Sequence, residues 1–394
     1  MPKSAADGAN GPLRLLIASD RLERYQSEMF IRFATAFIAS ILSSVSTFAQ
    51  TPTARPRIAL VEAHSISSND ISDWKKEGFN AVAVVLNEAT PDSMYAAAAK
   101  AAADAKLDVY YWIEIGRNAE MATKNPTWMA GLGSHTDWQK NFPKFPEPGV
   151  NQVAKAFPWV PIVYAETFNA HLKRIDQLLK RVPGGWTGVL LNDLQGGPSS
   201  CGCGNLQCRW AVDYYVSTTA TKLEGDDVAA RFVAEVRKHA GGKSVIPVWT
   251  TECSEVDLPS SKNGGHPSTG FCGDVGCAHS ACAQVFSAQW TALTATNSGL
   301  TAILGTHTSF GRVNPELGGG PTWVTNAVSY INTTLPSQGG KAIAPDRLWV
   351  VIDGVSREDE AKAREAADKI GVGGVIVAKI KIDQSYEPRM LRKN

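Results

Sequence analysis

Gly188-Val189-Leu190-Leu191-Asn192-Asp193 is an apolar run that ends on a carboxylate, and Cys201-Gly202-Cys203-Gly204-Asn205-Leu206-Gln207-Cys208 follows in the next loop. A run this short, apolar on both faces, reads as a strand buried on both sides, as in parallel α/β sheets. An Asp at the carboxyl end of such a strand stands where those folds build their sites.

Working outward, runs of the same kind recur. Arg57 to Glu62, Asn80 to Leu86, Asp108 to Ile113, Ser244 to Thr250, Leu300 to Leu304, Arg347 to Ile352 and Val375 to Ile380 all read as strands. Helical patterns separate them. The first covers Ser67 to Gly78 with Asp70 as its expected N-cap; others cover Pro91 to Ala105, Thr167 to Arg181, Asp226 to His239 and Arg357 to Ile370. Eight strands alternating with helices predict a (β/α)8 TIM barrel, one domain over residues 57–394. It would carry a long loop after strand three and cysteine-rich loops after strands four and five. The competing open doubly wound sheet lacks support, because no Gly-rich phosphate turn follows the first strand. The long loop, roughly Asn118 to Pro161, holds Trp128, Trp138, Phe142, Phe145 and Trp159. Long irregular loops in compact domains are commonly functional, so it is expected to be a lid or wall over the barrel mouth, with a surface flap over buried aromatics as the alternative. After strand eight a last helix is expected to be short or missing.

The chain has 394 residues and a formal net charge of +1, which gives no electrostatic case for nucleic acid or an anionic membrane. Hydrophobic residues make up 44%, enough for a large core, and the 11 Trp and 9 Tyr supply flat faces of the kind sugar rings stack on. Met29-Phe30-Ile31-Arg32, an apolar stretch to Val45 and Ser46-Thr47-Phe48-Ala49 have the three-part layout of a signal peptide over residues 29–49. Residues 1–28 then read as an over-extended start or a disordered arm, and 50–56 as a linker. The expectation is an exported protein, secreted or periplasmic, with no membrane association after cleavage.

Glu62, Glu88, Glu114, Asp193, Glu252 and Asp353 all fall at or just past the carboxyl ends of predicted strands. In a barrel those ends form one ring around the pocket. Paired carboxylates there suit glycoside hydrolysis, one as nucleophile or base and one as proton donor. Asp193 and Glu252, on adjacent strands, are the first candidate catalytic pair, with Asp353 third. Glu62, Glu114, Arg117, Trp112, Trp249 and His307 are candidate substrate contacts. A strand-end acid can equally cap a helix or pair with an Arg.

All 7 cysteines lie between Cys201 and Cys282. Cys201, Cys203 and Cys208 are close enough to converge on one structural zinc; in an exported protein disulfides are the alternative. No cofactor is expected to take part in catalysis.

The strand ending in Asp193, Pro198 and the Cys-x-Cys…Cys loop together resemble the fourth-strand region of glycosyl-hydrolase-like barrel proteins, a loose bacterial set distantly similar to α-L-fucosidases. Asn125-Pro126-Thr127-Trp128-Met129 is similar to the Pro-x-Trp segment those proteins carry after strand three. The resemblance implies a carbohydrate substrate and Asp193 as nucleophile. The cysteine loop is also similar to that of zinc-bearing β-galactosidases, which implies structural zinc at Cys201, Cys203 and Cys208. Those enzymes space the third cysteine more closely and end the strand in Glu, where this chain has Asp193. Two other classes stay open: a non-catalytic carbohydrate-binding barrel, and a thiol or metal protein working through its cysteine loops.

Overall fold

The computed structural model describes residues 55–132, 143–194, 223, 228–250, 301–305, 324–325, 328, 343–353, 356–383 and 386–393. The first strands are β1 (Arg57–Val61), β2 (Ala81–Val85) and β3 (Asp108–Glu114). A short pair follows, β4 (Gly131–Leu132) and β5 (Gln152–Phe157), then β6 (Gly188–Asn192), β7 (Ser244–Thr250), β8 (Thr301–Gly305), β9 (Leu348–Ile352), β10 (Gly374–Ala378) and β11 (Glu387–Arg392). Eight of these strands form a parallel sheet in the order β1-β10-β9-β8-β7-β6-β3-β2, and its pairings return to β1. The described helices are α1 (Ser68–Lys76), α2 (Asp92–Asp104), α3 (Ala119–Lys124), α4 (Ala165–Lys180), α5 (Val228–His239) and α6 (Arg357–Ile370). The connections from β7 to β8 and from β8 to β9 lie mostly outside the described residues.

Strand side chains alternate between two cores, as the two-residue period of a strand requires. Ile58, Leu60, Tyr110, Trp112, Leu190 and Val351 fill the interior of the curled sheet. Their sequence neighbours Ala59, Val61, Tyr111, Val189, Leu191 and Ile352 pack outward in a core shared with helix residues such as Trp74, Ile175 and Phe232. The interior fits its largest rings by setting them against glycine. Tyr110 and Trp349 meet edge to face at 5.8 Å. A Cβ on Gly374 would lie 2.7 Å from Trp349 Cδ2, and one on Gly188 would lie 2.8 Å from the Ser244 carbonyl oxygen and 3.1 Å from Tyr110 Cδ1.

Helix termini agree with local sequence. The Ser67 hydroxyl accepts from the Asp70 amide, and the Asp70 carboxylate accepts from the Ser67 amide, so Ser67 is the N-cap and Asp70 the third residue of a capping box, not the cap itself. Ser356 caps α6 through the Asp359 amide. Among the described residues no helix follows β10. Instead α6 is tied across that seam to the end of α1, the start of β1 and the residue after β10. Arg357 pairs with Glu77 at 2.9 Å, Arg57 with Asp368 at 2.6 Å, and Lys379 with Glu360 at 3.2 Å, while the Phe79 ring lies under both Arg364 and Lys379.

The segment after β3 differs from the expected irregular lid. It contains α3, a 3-10 turn at Pro126–Trp128, and β4 and β5, which pair with the C-terminal β11 in a separate antiparallel sheet ordered β11-β5-β4. Trp159 is buried between that sheet's alanines. Lys155 on β5 is also buried. Its ammonium donates to the carbonyls of Met129 (2.9 Å) and Thr127 (3.2 Å), and burial pulls its pKa down to about 7. Residues 133–142, with Trp138 and Phe142, lie outside the described residues.

Because Gly374 has no room for a methyl group, Gly374→Ala should lower stability by about 1–3 kcal/mol. Thermal unfolding measures this, and an unchanged midpoint would mean the Trp349 ring is free to move aside.

Candidate functional site

The alternation that builds the interior decides which residues reach the mouth at the carboxyl ends of the strands. Leu60 points inward on β1, so Glu62 continues on the inward side; Trp112 does the same for Glu114, and Val351 for Asp353. On β6 the inward position after Leu190 is Asn192, not Asp193.

Glu114 is held at both carboxylate oxygens. Its Oε1 accepts from the Trp112 indole N–H at 2.6 Å, and its Oε2 accepts from the Asn192 amide at 2.8 Å. The register explains both contacts: Trp112 lies two residues back on the same face, and Asn192 is directly opposite Glu114 in the β3–β6 pairing. Trp112 is fully buried, so it holds Glu114 from below and offers no open face for a sugar ring. Asn192 is also fully buried, and among the described residues its Oδ1 has no hydrogen-bond partner.

Glu62 is half-buried at the end of β1. Burial pushes its carboxyl pKa up; His64 opposes the shift and the nearby Glu114 carboxylate adds to it. Asp353 follows β9 and is 3% exposed. Asp193 is fully buried and has φ +57, a left-handed backbone uncommon outside glycine. Its carbonyl accepts from the Gly116 amide at 3.2 Å, while the Asn192 carbonyl accepts from Ile115 at 2.9 Å, so the β3–β6 ladder continues past the strand ends.

Two residues of the predicted ring or its substrate contacts are engaged elsewhere. Glu88 is off the inward side of β2 and forms a two-point ion pair with Arg174 of α4. Burial alone would raise its pKa, but the Arg174 hydrogen bonds and charge outweigh that and the net direction is down. Arg117 donates to Asp383 at 2.8 Å, joining the segments after β3 and β10. Glu252, His307, Cys201, Cys203 and Cys208 lie outside the described residues, as does the side chain of Trp249. Among the described residues no group of three or more His, Cys, Asp or Glu side chains could hold a metal ion.

Sequence reasoning placed α4 but missed Asn192 and the parts played by His171 and Arg174 on that helix. Counting by twos from Leu190 would have found Asn192. For α4 the cue was a polar pair one turn apart, His171 and Arg174, beside an apolar stripe. His171 is fully buried with its Nε2 3.0 Å from the Val160 carbonyl, so that nitrogen carries the proton. The Val160 amide in turn donates to Gly116.

No protein-family model matches the chain, and no curated protein matches it. Among solved structures it is similar to the carboxyl transferase domain of Rhizobium etli pyruvate carboxylase, at 11% identity and TM-score 0.37, covering 82% of this chain and 40% of that one. It is also similar to the catalytic domain of β-amylase from Paenibacillus polymyxa, at 11% identity and TM-score 0.38 over 82% of this chain and 91% of that one. The third is α-L-fucosidase isoenzyme 2 from Paenibacillus thiaminolyticus, at 14% identity and TM-score 0.37 over 80% and 49%. The chain thus spans less than half the length of the first and third. Likenesses this distant carry no argument about substrate or activity.

Burial, aided by the Arg174 charge, depresses His171 to about pH 3 while the unfolded imidazole titrates near 6.5. Its contribution to stability is therefore complete above about pH 6.5 and is lost as pH falls toward 3. His171→Gln, which keeps a donor for Val160, should flatten the acid side of the stability curve. Chemical denaturation at stepped pH tests this; parallel curves for both proteins would contradict it.

Proposed function

We propose that the chain is an exported (β/α)8 barrel that cleaves glycosidic bonds in an oligo- or polysaccharide through two carboxyl groups. The observation that carries this reading is the Glu62–Glu114 pair: two acids on the inward side at the ends of β1 and β3, on either side of β2, close enough for the Glu114 charge to act on Glu62 and in different surroundings. Such pairs divide acid and base roles. Glu62, with its raised pKa, is the proton donor to the departing sugar oxygen. Glu114, oriented by Trp112 and Asn192, is the nucleophile, or the base that takes a proton from the attacking water. Asp353 lies on the same ring and stabilises the positive charge that develops on the sugar. Water supplies the oxygen gained by one sugar and the proton that restores Glu62.

A second assignment keeps the reaction and changes the residues: Asp193 as nucleophile with Glu252 as proton donor. The left-handed backbone of Asp193 favours it, since such conformations gather at functional sites. In both assignments a zinc held by Cys201, Cys203 and Cys208 is structural, pinning the loop after Asp193.

A panel of 4-nitrophenyl glycosides and underivatised oligosaccharides tests the reading. Glu114→Gln should lose about 100- to 10,000-fold in kcat/KM. Glu62→Gln should lose as much on oligosaccharides and far less on activated aryl glycosides, whose leaving group needs no proton. If Asp193→Asn abolishes turnover while Glu62→Gln does not, the second assignment replaces the first. Glycan binding without turnover by the unaltered protein would make the barrel a binding module.

A general acid works only while protonated. Activity should therefore hold below the raised pKa of Glu62 and fall as pH rises through it, placing the alkaline limb of kcat/KM above the ordinary carboxyl range. An alkaline limb unchanged in Glu62→Asp would contradict the role.

A further inference from the structure

One side of α4 works as a clamp on the loops behind the mouth. Arg174, 10% exposed at its side chain, donates from Nη1 to the Glu114 carbonyl at 2.8 Å. The same guanidinium grips Glu88 through Nε and Nη2, the latter at 3.2 Å. One turn earlier His171 holds Val160, which bonds to Gly116. Two turns later Arg181 donates to the Asn87 carbonyl at 2.8 Å and to Asp92 at 2.7 Å. A single helix thus fastens the chain where it leaves both β2 and β3.

Of these contacts only the Arg174 bond lands on an acid of the mouth. The Glu114 side chain is already fixed by Trp112 and Asn192, and its backbone is fixed from the other side by Arg174. We infer that Arg174 is a positioning residue for Glu114, setting through the Glu114 carbonyl where the carboxylate stands relative to Glu62. The inference rests on the two-carboxylate reading of the mouth. Glu88 is the counter-ion that holds the guanidinium flat against the carbonyl. The planar fork is what lets one side chain reach a carbonyl and a carboxylate together; a lysine ammonium is a point donor and cannot span both.

The test compares the full chain with Arg174→Lys and Glu88→Gln. Four quantities are read: kcat and KM on whichever glycoside the panel selects, the thermal midpoint, and the pH titration of Glu62 followed by carboxyl NMR in 13C-glutamate-labelled protein. Arg174→Lys keeps the charge but not the fork. It should lower kcat about 100-fold, the scale of an ångström's misplacement, with KM within about twofold. It should also shift the Glu62 titration as the neighbouring carboxylate moves. Glu88→Gln still accepts from Arg174 and should lie between the two. A merely structural role would move the thermal midpoint alone, leaving kcat and the Glu62 titration as they were, and that result overturns the inference. If the unaltered protein hydrolyses no glycoside, the functional reading fails separately, and the titration still decides whether Arg174 positions Glu114.

Discussion

The strict alternation of strand side chains is the constraint from which the rest follows. It fills the interior with Tyr110, Trp112 and Trp349, and it delivers Glu62, Glu114, Asn192 and Asp353 to the mouth on the same side as those rings. The Trp112 indole shows the coupling. Its ring belongs to the buried interior, while its one polar atom is bonded to Glu114. A buried indole N–H gains by finding an acceptor, and here the inward residue two positions on supplies it. Packing and site are thus the same choice of residues.

The parallel α/β architecture was legible in the sequence because each strand is a compact apolar run bounded by turn residues. The long segment after β3 was not. β5 reads Gln152-Val153-Ala154-Lys155-Ala156-Phe157, and a lysine on the buried side breaks the hydrophobic signal. The Thr127 and Met129 carbonyls, brought close by tertiary folding, make that lysine tolerable. β11 failed for a similar reason, since Glu387, Arg389 and Arg392 look like a polar tail until β5 is there to pair with them.

At the site, the strand-end acids were visible as a set, but which of them act together was not. Glu88 was read as part of the ring, yet it belongs to the outer side with Arg174. Asn192 was read as strand and Asp193 as its end, because sequence does not show where a strand stops pleating and the backbone turns left-handed. Arg174 stood out only as half of a polar pair on a predicted helix, and its partner could not be seen, the carbonyl it holds being 60 residues away. The contribution of α4 is therefore geometric: it fixes backbone, and the backbone fixes the acid.

The most direct measurement of the central claim is the carboxyl titration of Glu62 in the unaltered protein and in Glu114→Gln. If the two acids form one site, Glu62 titrates above the ordinary glutamate range. Removing the Glu114 charge then lowers it part of the way, leaving the share due to burial. A Glu62 that titrates at its ordinary value and does not respond to Glu114→Gln would contradict the account.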